Sequence, residues 1–186
     1  MIQIRFHGRG GQGAKTASEI FARGALLKGK HIQSFPEYGA ARQGAPVQIF
    51  LRISDKPIRI HCGIKNPTAV VVLDPTLLAM RFINQGIDQD GLMLVNSALQ
   101  SESLRECLDF KGQLFYVDAT KISKEEFGRP IPNTVMVGAL AKATGILSLD
   151  DVKKAIEDEM LYKFGKEITD KNIKAAERAY NEVISV

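Results

Sequence analysis

The chain has no tryptophan and only two cysteines among its 186 residues, and each shortage removes a class of chemistry. Cys62 and Cys107 stand far apart with no C-x-x-C spacing. A self-contained iron–sulfur or zinc–thiolate site needs about four clustered ligands, so neither is expected. His7, His31 and His61 are equally scattered, and no metal site is expected of them. No apolar run reaches the roughly 18 residues of a membrane span, and the first residues show no basic region followed by an apolar stretch. Neither a membrane nor a secretory route is therefore expected, which leaves the cytoplasm. The net charge is only +4, and lysines in the last third alternate with acidic residues, as on solvated helix faces. No basic stripe is interleaved with aromatics, so nucleic acid is not an expected partner.

What remains is ordinary globular material, 45% hydrophobic and 25% charged, long enough for one good core. No repeat, linker or low-complexity stretch divides it, and a single domain over residues 1–186 is expected. Residues 2–6 alternate as a strand should, and 14–28 have helical spacing through Ala17, Ile20, Phe21, Ala25 and Leu27. A second strand is read at 31–35, stopped by Pro36, and a third at 47–53. Residues 69–73 are nearly all β-branched, as in a parallel strand covered on both faces. Asp74-Pro75 then opens a helix read through 81, and further strands fall at 92–95 and 113–117. The last third is helical: 133–144, apolar nearly all round, with Gly138 and Ala139 allowing another backbone close; a helix capped by Ser148, with Leu149, Val152, Ile156, Met160 and Phe164 on one face; and a last helix at 170–183. Alternating strands and helices give an α/β fold, three-layer, with a mainly parallel, Rossmann-like sheet and a helical C-terminal third.

The chemistry-bearing segment is the run Gly8, Arg9, Gly10, Gly11, Gln12, Gly13 between the first strand and the first helix. Glycines permit positive φ and close backbone approach, and the free N–H groups opening a helix attract an anion. Three readings stay open on these residues. G-x-G-x-x-G in this context is the dinucleotide fingerprint, with Glu37 in the place of its acid, although that residue is read as lying in a loop after Pro36. The P-loop is disfavoured, because Ala14 intervenes before Lys15-Thr16 and turns the lysine by about 100°. The third reading is a plain tight turn with Arg9 and Gln12 in solvent. Against that stands Arg9, a planar, permanently charged fork suited to phosphate or carboxylate. The polar loop 37–46 follows the second strand and should emerge on the same sheet edge, bringing Tyr38, Arg42, Gln43 and Gly44 toward the glycine turn.

Together these two stretches resemble the gamma subunit of the pyruvate (2-oxoacid):ferredoxin oxidoreductase family. The likeness lies in Ile4-Arg5-Phe6-His7-Gly8-Arg9-Gly10-Gly11-Gln12-Gly13, in Tyr38-Gly39 and in Arg42-Gln43-Gly44-Ala45-Pro46-Val47. It continues at Asp74-Pro75 and Asn133-Thr134. Gln43 departs from the pattern, since the family often has a second arginine there. The resemblance implies a subunit rather than a free-standing catalyst. It implies alpha-, beta- and delta-type partners carrying thiamine diphosphate and Fe–S clusters, ferredoxin as electron acceptor, and CoA as co-substrate, with pyruvate the first-choice 2-oxoacid. No cofactor is expected on this chain alone, and no catalytic group is assigned in it, since no glutamate sits in a thiamine-type setting. Asp74, Asn96 and Asp118, at strand ends, read as caps or turn formers. The glycine crevice is expected to hold CoA phosphates or a nucleotide. The alternatives are a purely structural assembly surface and an independent NAD(P)- or FAD-binding oxidoreductase.

Overall fold

In the computed structural model of the chain the described residues are 1–37, 44–80, 82–99, 101–108 and 110–186, the side chains of 101, 102 and 107 excepted. The elements, in order, are β1 (Ile2–Arg9), α1 (Ala14–Leu27), β2 (His31–Glu37), β3 (Pro46–Ser54), β4 (Ala69–Val72), a 3-10 turn (Pro75–Leu77), β5 (Leu92–Asn96), α2 (Ser101–Leu108), β6 (Gln113–Val117), α3 (Ala119–Phe127), α4 (Asn133–Thr144), α5 (Leu149–Glu182) and β7 (Ile184–Ser185). The strands form one sheet in the order β2-β3-β1-β4-β5-β6-β7. β1, β4, β5 and β6 pair in parallel. β3 runs antiparallel to both β1 and β2, and β7 runs antiparallel to β6. β2 therefore points the same way as β1 without touching it, and the sheet is mixed with most strands sharing one direction.

Two cores sandwich this sheet. Ile4 and Phe6 of β1 with Ile49, Leu51 and Ile53 of β3 face α1, α4 and α5, where Ile20, Phe21, Val137, Leu140, Val152 and Ile156 are buried. Val70, Val72, Met93 and Val95 face the other way, against Leu77, Ile83, Leu104 and Leu108. β4 and β5 are buried along their whole length, as strands covered on both faces must be. Each large apolar side chain so enclosed contributes about 1.5–3 kcal/mol.

Several boundaries differ from the sequence reading, each for a local reason. β1 continues past residue 6 because β3 pairs with it as far as Gly8↔Val47 and Arg9↔Pro46. β2 runs through Pro36 to Glu37, which is possible because it is the sheet's edge strand and a proline there interrupts no central ladder. The helix expected at 75–81 shortens to the 3-10 turn, after which Leu77 and Ile83 tuck into the second core through a succession of turns; residue 81 lies outside the described residues. The two helices expected at the end of the chain are present as the two halves of α5, which meet at a kink at Gly165, where φ 77° and ψ 171° are not helical; the second half starts just after that glycine, a few residues before 170. Phe164, expected on the buried face, is 53% exposed, and the whole stretch 161–168 on either side of that break is exposed with it. The close approach expected at Gly138 is present: a Cβ there would stand 2.0 Å from the Ala176 carbonyl oxygen on α5.

Candidate functional site

β1 delivers the glycine turn to the sheet edge where β4, β5 and β6 also end. Gly10 donates its N–H to the Ala45 carbonyl at 3.0 Å, and Gly44 donates back to the Gly10 carbonyl at 3.2 Å. The turn and the residues entering β3 are thus stitched into one rim. Gly13 opens α1 with φ 78° and ψ 24°, and no side chain caps the helix. A Cβ at Gly13 would lie 2.7 Å from the Asn133 side-chain nitrogen, so the position needs glycine for both its dihedral and its space. The first-turn N–H groups of α1 are donors without a side-chain cap, the arrangement that favours an anion. α4, whose start at Asn133 meets Gly13, also lacks a side-chain cap from its Ncap residue, Pro132.

Arg9 keeps a 30% exposed side chain but is not a free fork. Its Nε and Nη2 donate to Thr76 Oγ1 at 3.1 and 2.8 Å, and Nη1 donates to the Gly44 carbonyl at 3.2 Å. Nε also lies 3.3 Å from Asp74 Oδ2. Gln12 is turned inward as well: its Oε1 accepts from the Arg9 backbone N–H at 2.8 Å, and its Nε2 donates to Asp74. Asp74 accepts in addition from the Thr76 N–H and hydroxyl at 2.8 and 2.6 Å. Burial opposes its ionisation, but the hydrogen bonds from Thr76 and Gln12, with Arg9 nearby, outweigh that and hold the carboxyl below the usual range. Asp74 thus caps the 3-10 turn and anchors Arg9. Gly8, Gly10, Gly11, Gln12, Gly13 and Gly44 are brought together with Arg9; Tyr38, Arg42 and Gln43 lie outside the described residues.

The next stretch of the same edge was not picked out as a site from sequence. Asn96 donates to the Leu73 carbonyl at 2.7 Å and to Thr120 Oγ1 at 2.9 Å, and its Oδ1 accepts from the Thr120 N–H at 3.2 Å. Asp118 caps α3, accepting from the Lys121 N–H at 2.8 Å. Around them a cavity of about 550 Å³, lined by Pro75, Ser97, Lys121 and Lys124 among others, opens beside the Asp74 cluster. The signal available in the sequence was positional: Asn96-Ser97 and Asp118-Ala119-Thr120 each follow an apolar strand, and ligands of open α/β sheets bind beyond the carboxyl ends of strands.

The topology bears on the competing readings of the glycines. Glu37, expected in a loop, is the last residue of β2. Yet β3 stands between β2 and β1, so Glu37 is two strand spacings, roughly 10 Å, from the turn, whereas the dinucleotide fingerprint needs an acid on the neighbouring strand. Lys15 is exposed and pairs with Glu19 at 3.3 Å, turned away from the rim as its spacing predicted. Among the described residues no three His, Cys, Asp or Glu side chains converge in a metal-binding group. Two cysteines do not make the donor set of an Fe–S cluster.

Comparison with known proteins adds an independent line. Residues 3–182 match the family model for pyruvate ferredoxin/flavodoxin oxidoreductase. The chain is 47% identical over 182 residues to pyruvate synthase subunit PorC of Thermotoga maritima, covering 98% of this chain and 94% of that one. It is 48% identical over 185 residues to the pyruvate/ketoisovalerate oxidoreductases common subunit gamma of Thermococcus kodakarensis, covering 99% and 98%. The crystal structure of the Thermotoga maritima pyruvate oxidoreductase subunit PORC superposes with a TM-score of 0.89 at 45% identity, covering 99% of this chain and 97% of that one.

Proposed function

Because the chain belongs to the pyruvate ferredoxin/flavodoxin oxidoreductase family, as a gamma-type subunit, we propose that its glycine-turn crevice contributes to holding CoA for the assembled enzyme. The observation that carries this reading is the rim itself. Reciprocal hydrogen bonds join Gly10 to Gly44 and Ala45 beside the uncapped start of α1, so backbone donors face a crevice with no acidic cap of their own. It lies where the strand order reverses, between β1 and β4, the place where open α/β sheets take phosphate-bearing ligands. Arg9 contributes by position, tying the rim to Thr76 and Asp74; in the adjoining cavity Lys121 and Lys124 are balanced by Asp118 and Glu125.

On this reading alpha-, beta- and delta-type partners hold thiamine diphosphate and the Fe–S clusters, where those groups supply carbanion stabilisation and electron transfer to ferredoxin. Pyruvate is the preferred 2-oxoacid, and the complex works in the cytoplasm. This chain's own share is to bind and orient CoA and to dock on the thiamine-binding subunits. In the assembled complex, Arg9→Ala raises the apparent KM for CoA by roughly 10-fold, about 1.4 kcal/mol lost when the rim is no longer held in place, and moves the KM for the 2-oxoacid by less than about 2-fold. Thr76→Val, which loosens Arg9 without removing charge, gives the same pattern more weakly. Equal effects on both substrates in a normally assembled complex overturn the proposal.

A second reading is favoured by Arg9's hydrogen bonds to Thr76 and to the Gly44 carbonyl: the rim is an assembly surface, and the Arg9 variant then loses complex integrity in place of CoA dependence.

A further inference from the structure

The sheet face turned away from α1, α4 and α5 carries two guanidinium groups that form no ion pair among the described residues. Arg5 is 5% exposed and Arg52 1%. Arg52 is shared among Gln3 Oε1 at 3.1 Å, Gln33 Oε1 at 2.8 Å and the Cys62 carbonyl at 2.7 Å. Arg5 donates from Nε to His7 Nε2 at 2.9 Å, and from Nη2 to the Ile83 and Gln85 carbonyls at 3.0 and 2.7 Å. Its Nη1 has no hydrogen bond among the described residues. Burying a cation with neutral partners alone costs free energy that an anion would offset. Arg5 also lines a cavity of about 490 Å³, the size range of small-molecule sites.

The walls narrow the ligand. Phe50 and Ile64 supply an apolar surface, and Gln48 and Gln85 lie beside it with amide groups. Lys65 and Glu37, both exposed, complete the charged lining, so with Arg5 the cavity holds one positive charge in excess. That balance suits a single negative charge better than a phosphate dianion. We propose that this cavity binds a small organic monocarboxylate, with its carboxylate on Arg5 Nη1 and its apolar body against Phe50 and Ile64. The site is separate from the glycine-turn crevice and does not depend on the reading given to that crevice.

Cys62 is exposed and lines the same cavity, which makes it a reporter. The rate of its alkylation by iodoacetamide, followed by peptide mass mapping, is measured on the full chain with benzoate, with benzamide as the neutral isostere, and with inorganic phosphate. Benzoate slows the reaction saturably, by roughly 10-fold or more at saturation, while benzamide and phosphate change it by less than about 2-fold. Arg5→Met raises the half-protecting benzoate concentration at least about 10-fold. Because Arg5 also holds the Ile83 and Gln85 carbonyls, Gln48→Leu, at a half-buried position, probes the pocket with those bonds intact and weakens protection in the same direction. Protection by benzamide or phosphate equal to that by benzoate overturns the proposal, as does unchanged benzoate dependence in both variants. Repeating the measurement on the assembled complex separates sources of the carboxylate: Cys62 already shielded there, with no further effect of benzoate, assigns the pocket to a partner's side chain and overturns the small-acid proposal.

Discussion

His7 is buried beside Arg5 and Phe82, and its Nε2 accepts from Arg5, so the ring proton sits on Nδ1, which has no hydrogen-bond partner among the described residues. Burial first, and the Arg5 charge second, push its pKa down to about 3. The unfolded chain, with an ordinary histidine near 6.5, binds the proton first as pH falls. Folding stability is therefore lost progressively from about pH 6.5 toward pH 3. His7→Gln, whose carbonyl can still accept from Arg5, flattens the fall of the urea midpoint over that window; an unchanged slope contradicts the assignment. Asp74 acts in the opposite sense. Its depressed folded pKa means that its contribution is present above the unfolded value of about 3.9 and disappears as pH falls below it. Asp74→Asn costs about 1–3 kcal/mol at pH 7, and the gap to the natural chain narrows as pH falls below about 3.9; chemical denaturation across that range checks it. Asp74, Asp118 and Ser148 were legible as caps because capping is local. Arg9 was legible as important and misread in its partners, since Thr76 and Asp74 lie over 60 positions along the chain and nothing in their spacing announces the contact.

At the scale of elements, the approach of α4 to α5 turns on one missing side chain. A Cβ at Gly138 would meet the Ala176 backbone, which unlike a side-chain tip has no easy way to move. Gly138→Ala therefore costs at least about 1–3 kcal/mol through overpacking, lowering the melting temperature by roughly 2–4 °C per kcal/mol; a thermal melt within 1 °C of the natural chain contradicts the packing. Helix α5 begins with a complete capping box, in which Ser148 Oγ accepts from the Asp151 N–H at 3.2 Å and Asp151 accepts from the Ser148 N–H at 2.9 Å. Ser148→Ala costs about 1 kcal/mol by urea denaturation. Periodicity located α1, α4, β4 and β6 to within a residue or so because their apolar pattern and packed face coincide. It misjudged β2 at Pro36, since whether a strand is central or at an edge is a tertiary property. It divided α5 into two helices, as the kink at Gly165 does, and started the second a few residues late, because the residues between Met160 and Asp170 are all exposed apart from Thr169 and give no apolar stripe to read.

For the molecule as a whole, the sequence implied alternating layers correctly but not the order of the strands. The antiparallel insertion of β3 beside β1 carries Glu37 away from the glycine turn, and with it the geometric basis of a dinucleotide site. It also brings Gly44 and Ala45 against Gly10, which turns two loops into one rim. If the rim meets CoA in the assembled enzyme, as proposed, its backbone amides are shielded when CoA is present. Hydrogen–deuterium exchange of the purified complex, followed by peptide mass with and without CoA, measures that shielding. Slowed exchange is expected at the amides of residues 10–17 and 44–46 on adding CoA, with loss of that protection in Arg9→Ala. Protection confined to other subunits, with residues 10–17 exchanging at the same rate in both states, would contradict the proposal.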